Sequence, residues 1–306
     1  MQEKKNKRLL LTLIALLLVT GGIYWYGKRN TSFQVDKDTF HYADLKSVNE
    51  IILESPAGKV DLKFMGSAWR VNNTYNADRA MVEVLFATLL KAEPKRPVAI
   101  SLQDSVGKAV EKNGVKVSLL VGSNVVEQFY AGGNDRKTQA FFRKAGETPY
   151  IMTIPGYRVY VSGIFELPEN GWRDKYVFGF NWRNFKNLEA NFPASPTDNF
   201  LVQMDDNFFG VTGIESDTAK LNNYLDAVSL LTVDEYVTTT PELDSLGKTK
   251  PVMTLTIRDI GDHEYSLRIF PPIKKQKYFV QSGDAWAVLQ ENKIRGLLRP
   301  KRYFGK

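Results

Sequence analysis

Two stretches of the chain decide its fold: residues 69–89 read WRVNNTYNADRAMVEVLFATL, and residues 209–228 read FGVTGIESDTAKLNNYLDAV. Each places an aromatic residue and a polar turn before a helix whose apolar residues recur every three or four positions. We expect Asn76 and Ser216 to cap these helices, because short polar side chains satisfy the free N–H groups of a first turn. The predicted apolar faces comprise Met81, Val84, Leu85 and Leu89 in the first helix and Leu221, Tyr224, Leu225 and Val228 in the second.

The two stretches belong to an internal repeat. Trp69 and Phe209 are 140 positions apart, Asp78 and Asp217 are 139 apart, and the neighbouring predicted elements keep offsets near 137–140. Each unit is predicted as β-β-β-α-α-β-β-β-β over about 110 residues, which suits one compact domain. Because runs of strands are separated by helices, we predict the α+β class, with mostly antiparallel sheets and helices on one face.

The amino terminus is predicted to cross a membrane. Leu9–Tyr26 reads LLLTLIALLLVTGGIYWY, 18 residues without a charged side chain, and as a helix it would approach the thickness of a hydrocarbon core. A cleaved signal peptide is the alternative, but it needs small residues where Ile23–Tyr26 stand, so we predict an uncleaved signal anchor. More basic residues precede the span than follow it, which favours a cytoplasmic amino terminus and a periplasmic C-terminal domain at a bacterial inner membrane.

The net charge of +7 is concentrated at the two ends of the chain. Residues 1–30 and residues 291–306 each carry a net charge of +5, and residues 31–290 carry −3. The body is therefore not basic, and we predict no nucleic-acid partner. The basic tail is predicted either as a solvated or frayed end or as a contact with anionic lipid. The chain has no cysteine, which excludes disulfides and thiolate sites.

The segment between the two units is rich in aromatic residues. Residues 156–185 hold nine of them, unlike a flexible linker, which is rich in Gly, Ser or Pro. These rings either lie buried between the units and hold them at a fixed angle, or form a surface that docks a partner. The candidate interface residues are Trp172, Arg173, Asp174, Tyr176 and Trp182.

These patterns divide the chain into four parts. Residues 1–30 form a cytoplasmic tip and transmembrane signal anchor, and residues 31–155 form the first α+β repeat. Residues 156–185 form the aromatic-rich bridge, and residues 186–306 form the second α+β repeat with the basic tail.

Several motifs resemble one family. They are Trp69-Arg70-Val71-Asn72, Tyr75-Asn76-Ala77-Asp78, Pro97-Val98, Tyr130-Ala131-Gly132-Gly133, Pro149–Tyr157 and Trp172-Arg173-Asp174-Lys175. Together they resemble the Bacteroidetes branch of an uncharacterised bacterial membrane-anchored family, often encoded beside auxiliary proteins of gliding-motility-type ABC transporters. The resemblance covers most of residues 33–200 and implies an envelope location beside a membrane complex. It brings no catalytic residues.

No enzyme motif occurs in the sequence, such as a nucleophile elbow, a P-loop or a zinc-protease pair of histidines. We therefore predict no catalytic, cofactor-binding or metal-binding residues and no cofactor. His41 and His263 are predicted as solvated loop residues, because no pattern near either supplies partners for metal or base chemistry. Asp205-Asp206-Asn207 is predicted as a hairpin turn.

The sequence leaves two functions open. The first is a non-enzymatic scaffolding component of an envelope complex, with a protein partner bound through the bridge and the repeat surfaces. The alternative is a periplasmic binding module that captures a glycan or small envelope ligand between the repeats. Aromatic rings that face a groove between the units would favour the second function, because sugar rings stack on aromatic faces.

Overall fold

A computed structural model describes residues 2–30, 35–179, 182–205, 208–272 and 277–306. Helix α1 (Gln2–Asn30) contains an apolar window, Lys5–Trp25, that is long enough to cross a membrane and is not buried against the rest of the chain. Such a window near an amino terminus serves as a membrane anchor or a signal sequence. The remaining elements confirm the predicted α+β class with two mostly antiparallel sheets.

The first sheet contains nine strands among the described residues, and its neighbouring strands run antiparallel. Two helices, α2 (Arg79–Lys91) and α3 (Ile100–Asn113), interrupt the run of strands. The strands are β1 (Glu50–Ser55), β2 (Gly58–Met65), β3 (Ala68–Val71), β4 (Tyr75–Asn76), β5 (Glu93–Pro97), β6 (Val115–Val121), β7 (Asn124–Gly133), β8 (Ala140–Arg143) and β9 (Tyr150–Thr153). Their order across the sheet is β4-β3-β2-β1-β6-β7-β8-β9-β5.

A short helix, α4 (Glu169–Trp172), precedes the second sheet, which has eight strands within the described ranges. The strands are β10 (Phe185–Asn191), β11 (Phe200–Asp205), β12 (Phe208–Val211), β13 (Glu235–Val237), β14 (Met253–Asp259), β15 (Glu264–Ile269), β16 (Lys277–Ser282) and β17 (Ala285–Gln290). The helices are α5 (Thr218–Ser229), α6 (Pro241–Gly247) and α7 (Glu291–Leu297). The strand order is β12-β11-β10-β14-β15-β16-β17-β13.

The two sheets have matching strand orders. The second reproduces β3-β2-β1-β6-β7-β8-β9-β5 of the first, position by position, which is compatible with the predicted repeat. Each unit has a strand between its helices that the prediction lacked, β5 or β13, which pairs with the last strand at the sheet edge. The first unit also has the short strand β4 before α2, which the prediction lacked. In β5, Pro94 and Pro97 count against a strand in sequence patterns, but an edge strand tolerates proline.

The helices of each unit lie on both faces of its sheet, so the prediction of helices on one face was wrong. Consecutive strand residues point to opposite faces. In β8, Phe142 packs into the main core with Leu85 of α2, whereas Phe141 packs with Val110 of α3. In the second unit α5 lies in the main core, and α6 covers a separate small cluster of Leu243, Phe270 and Trp286.

Aspartates cap both core helices, so the prediction of Asn76 and Ser216 as caps was wrong. Asp78 accepts hydrogen bonds from the second and third N–H groups of α2 at 2.9 and 3.3 Å. Asp217 does the same in α5 at 3.0 and 3.1 Å. A carboxylate at this position also complements the positive end of the helix dipole. Ser216 instead accepts a hydrogen bond from the N–H of Val211.

The predicted apolar face of α5 is buried in full, and that of α2 in part. Leu85 and Leu89 are buried and Met81 is half-buried, but Val84 is 49% exposed. Val82 takes the buried position instead. The face of α2 that meets the sheet is therefore rotated from the predicted one, and it leaves Val84 on the surface.

Each unit is closed by the segment that follows its last strand. After β9 the chain reaches Trp172, whose carbonyl accepts a hydrogen bond from the N–H of Asp78 at 2.7 Å. After β17 it reaches Phe304, whose carbonyl accepts a hydrogen bond from the N–H of Asp217 at 2.8 Å. Both aromatic side chains are fully buried. The C-terminal end is therefore packed into the second unit, and its interpretation as a frayed end was wrong.

The next residue in each closing segment forms an equivalent backbone bridge. Arg173 pairs with Ala77, and Gly305 pairs with Ser216, both antiparallel. The two closing aromatics, Trp172 and Phe304, are 132 positions apart. That spacing differs from the 137–140 of the other elements, so an alignment at constant offset does not find this correspondence.

We predict that Phe304→Ala lowers the free energy of unfolding by about 3–5 kcal/mol, because it removes a fully buried ring from the core. Urea unfolding of the full chain in detergent, followed by circular dichroism, measures the change. The matched control is Arg302→Ala, since Arg302 is exposed two positions away; its effect is expected within about 0.5 kcal/mol. Equal stabilities of the two variants would contradict the packed C-terminus.

Candidate interface site

The predicted bridge divides between the two cores. Phe165 and Trp172 are buried in the first core, and the Trp172 indole N–H donates to the carbonyl of Leu167 at 3.3 Å. Phe178 and Phe185 are buried in the second core. The chain therefore crosses from one unit to the other between Trp172 and Phe178, where the predicted residues Arg173, Asp174 and Tyr176 lie.

The side chain of Arg173 lies between aromatic rings of the two units. Its guanidinium carbon is 3.7 Å from the ring centre of Tyr75 in the first unit and 3.8 Å from that of Tyr236 in the second. The residue is only 9% exposed, and its Nη1 donates to Oδ1 of Asn170 at 3.2 Å. Within the described ranges, no carboxylate oxygen lies within 4.0 Å of it. Two ring faces thus stabilise a buried cation that has no ionic partner there.

Tyr236 also makes a hydrogen bond across the junction. Its phenol donates to the backbone carbonyl of Asp174 at 2.9 Å, and the carboxylate of Asp174 accepts the N–H of Tyr176 at 3.1 Å. Burial raises the pKa of Tyr236; the cation of Arg173 opposes the rise and the charge of Asp174 adds to it. The phenol therefore stays protonated at neutral pH and keeps its role as donor.

Backbone hydrogen bonds extend the contact between the crossing segment and the second unit. The N–H of Val233 donates to the carbonyl of Lys175 at 2.8 Å, and the N–H of Val177 donates to the carbonyl of Leu231 at 3.0 Å. Tyr176 pairs with Thr232 in an antiparallel bridge between these bonds, although its side chain is half exposed. The crossing segment is thus paired along its length rather than free.

The five predicted interface residues have different environments. Trp172 is a core residue of the first unit, Arg173 and Asp174 contact both units, and Tyr176 lies at the rim of the contact. The side chain of Trp182 lies outside the described residues. Sequence reasoning did not assign Tyr75, Tyr236 or Asn170 to the interface. Tyr75 drew attention only as part of a family motif, and Tyr236 offered no signal besides its aromatic character.

A cleft of about 580 Å³ opens beside the junction. Its lining combines hydroxyl, carboxylate and aromatic groups from both units, including Tyr75, Glu169, Arg173, Thr238, Asp284 and Trp286. The faces of the guanidinium are covered by rings, so its N–H groups point outward in its own plane. One of them bonds Asn170. The remaining donors leave Arg173 capable of binding an acceptor in the cleft.

The residues considered for acid–base or metal chemistry lie apart. His263 is an exposed turn residue whose Nδ1 is 3.0 Å from Oδ2 of Asp259. Burial raises the pKa of Asp259, but hydrogen bonds from the backbone and ring of His263 and from Gly261 outweigh it and hold the pKa below its ordinary value. Asp206 and Asn207 lie outside the described residues. Among those described, no three His, Asp or Glu side chains are grouped to hold a metal.

We predict a favourable coupling of about 1–2 kcal/mol between Arg173 and Tyr236, because a stacked cation loses its aromatic partner when either is replaced. A double-mutant cycle of Arg173→Met and Tyr236→Leu in the full chain, followed by urea unfolding, measures the coupling. The control pairs Arg158→Met with Tyr236→Leu, since Arg158 is exposed and away from the ring. Additivity in both cycles, within about 0.5 kcal/mol, would contradict the stacking.

Comparison with known proteins gives one relationship. A family model, the domain of unknown function DUF4340, matches residues 69–251. The match begins in β3 of the first unit, spans the junction and ends just before β14 of the second. No curated protein and no solved structure matches significantly. Because the family model covers more than half of the chain, the protein belongs to the DUF4340 family.

Proposed function

We propose that this protein is a non-enzymatic, membrane-anchored scaffolding component of a bacterial envelope complex. In this proposal α1 is an uncleaved signal anchor in the inner membrane, with a cytoplasmic amino terminus and both sheets in the periplasm. The basic cluster before the apolar window supports that orientation. The motif resemblance supports a place in the Bacteroidetes branch and an association with a transporter.

The junction at Arg173 is the observation that carries the proposal. A guanidinium stacked between the two units, with hydrogen bonds on either side, favours one fixed arrangement of the sheets. A fixed arrangement presents surfaces of both units to a partner at a constant spacing. This property suits a component that positions other proteins, because less conformational entropy is lost when a rigid body binds.

Apolar surface beside α2 supports the presence of a partner. A hollow of about 530 Å³ lies on one side of the helix against Tyr157 and Ile164. Another, of about 720 Å³, lies on the other side and is lined by Phe86 of α2 and by Trp69 of β3. Val84 is exposed and lines the first hollow. Contiguous apolar surface of this kind marks contacts with proteins or membranes.

We expect the full chain to co-purify with a defined envelope protein after crosslinking in its native membranes and extraction in mild detergent. Arg173→Met should reduce the yield of the crosslinked complex, because it loosens the spacing of the two units. Arg136→Met is the matched control and should leave the yield unchanged, because Arg136 is exposed in the turn after β7 and lines neither hollow. The measurement is quantitative mass spectrometry of the crosslinked species relative to the bait.

Two results would contradict this proposal. A monodisperse monomer with no protein enriched over the control membranes would contradict scaffolding. The absence of cysteine allows the topology to be checked separately, with Ser123→Cys as the only thiol. Labelling of that thiol by a membrane-impermeant maleimide only after the inner membrane is permeabilised would contradict the periplasmic location.

The cleft at the junction favours a second candidate, capture of an envelope glycan. Hydroxyl and carboxylate groups beside aromatic residues are the usual means of binding a saccharide, and Arg173 adds donors for an acidic substituent. Of the bridge aromatics whose side chains the structure describes, Phe165, Trp172, Phe178 and Phe185 are buried, which weakens the stacking surface that this function requires. Tyr75 and Trp286 are the rings that line the cleft.

If the cleft binds glycan, isothermal titration of the full chain with the N-acetylglucosamine–N-acetylmuramic acid disaccharide should show saturable binding. Asp284→Ala should weaken that binding about tenfold, because it removes an acceptor for sugar hydroxyl groups. Asp244→Ala is the control, since Asp244 is exposed on α6 and does not line the cleft. Absence of heat up to millimolar ligand, or equal affinities of both variants, would contradict glycan capture.

A further inference from the structure

One edge of the first unit exposes apolar side chains that its fold does not use. The segment 90–102 joins α2 to α3 through the edge strand β5 and reads LKAEPKRPVAISL. Ile100 is 89% exposed, the highest value among the large apolar side chains of the described residues. Leu90 and Leu102 are also more than half exposed. Leu90 lies at the end of α2, and Ile100 and Leu102 lie in the first turn of α3, so the exposed apolar side chains flank the charged edge strand β5.

The same segment carries a group of unpaired cations. Lys91, Lys95 and Arg96 are exposed, and in the described part of the chain none has a carboxylate oxygen within 4.0 Å. The neighbouring carboxylates are already paired: Glu93 with Lys37 at 3.1 Å, Glu83 with Arg79 at 2.8 Å and Asp104 with Lys108 at 2.8 Å. The edge therefore presents basic and apolar groups together without local compensation.

The chain length ties this edge to the end of α1. Lys37, which pairs with Glu93 of β5, follows the last residue of α1, Asn30, by seven positions. Seven residues span at most about 25 Å, however they run. The Lys37–Glu93 pair therefore places this edge within reach of the carboxyl end of α1, which continues five residues beyond the apolar window that ends at Trp25.

We infer that segment 90–102 rests on the surface of the membrane that α1 crosses. Ile100, Leu90 and Leu102 enter the headgroup region, and Lys91, Lys95 and Arg96 lie against anionic phospholipid headgroups. Basic residues combined with exposed apolar side chains are the chemistry that binds an anionic bilayer surface. This inference rests on the proposed anchoring of α1.

Fluorescence of the full chain in lipid nanodiscs tests the contact. Since the chain has no cysteine, Ile100→Cys provides a single site for an environment-sensitive dye. The control is Ile260→Cys, a site that is 67% exposed beyond the end of β14 in the second unit. In nanodiscs rich in phosphatidylglycerol we expect a blue-shifted emission at residue 100, quenched by nitroxide-labelled lipid, and water-like, unquenched emission at residue 260.

Charge reversal tests the electrostatic part of the contact. The double variant Lys95→Glu and Arg96→Glu is made on the Ile100→Cys background. It should lower the ratio of membrane-bound to unbound segment 90–102 roughly tenfold or more. In nanodiscs of phosphatidylcholine alone, the Ile100→Cys chain without charge reversal should show a similar decrease in this ratio. Unchanged melting temperatures of the variants would show that the fold is intact.

Three results would overturn the inference. The first is water-like emission at residue 100 in anionic nanodiscs. The second is a blue shift without quenching by nitroxide lipid, which indicates a protein contact. The third is quenching that is the same in both lipids and in the charge-reversed variant. Extraction of the chain by alkaline carbonate would instead show that the anchoring itself is wrong, so the two failures are distinguishable.

Discussion

A guanidinium held between two tyrosine rings joins the two units of this protein. Removing a charged group from water is costly unless other groups stabilise it. Arginine suits this position because its guanidinium is planar, weakly hydrated and able to stack on aromatic faces. A lysine ammonium would lose its hydration without presenting two flat faces. Because Tyr75 and Tyr236 come from different units, the stabilisation exists only when the units adopt this arrangement.

The closing segments explain why Arg173 reaches that position. In each unit the N-cap residue of the core helix has a backbone N–H that needs an acceptor, and the closing aromatic supplies its carbonyl. Trp172, the last residue of α4, packs into the first core, and the chain leaves that core with extended backbone at Arg173. Arg173 is therefore directed out of the core toward the second unit. Gly305 holds the equivalent place after Phe304, and it has no side chain that could make such a contact.

Local patterns predicted much of the fold. Apolar periodicity indicated the amino-terminal helix, the core helices and most strands, because these elements are determined by residues near one another in the chain. The missed features depend on distant residues. Strand β5 is stable because it pairs with β9, despite two prolines. Helix α3 lies on the opposite face because Phe141 supplies an apolar site there.

The interface between the two units also depends on residues that are distant in the sequence, so local patterns predicted it only in part. Trp172, Arg173, Asp174 and Tyr176 could be selected from composition, because aromatic residues and arginine are frequent at contacts. Their structural roles could not be predicted from the sequence, because Tyr236 is 63 positions away from Arg173 and no local pattern connects the two residues. The closing role of Trp172 was hidden for a related reason. The loops before Trp172 and Phe304 differ in length, so the repeat loses its constant offset where the units close.

The connection through Arg173 also determines how the second unit is placed relative to a membrane. The first unit follows α1 after a short stretch of chain, and Lys37 near its start pairs with Glu93 at its edge. Among the described residues, the second unit is joined to the first by the crossing segment, the stacked guanidinium and the hydrogen bond that Asn170 donates to the carbonyl of Tyr236. Any reorientation of the second unit must therefore break that stack or move the first unit with it. If the first unit rests on a bilayer, the junction transmits this orientation to the second unit, and a partner meets both as one surface.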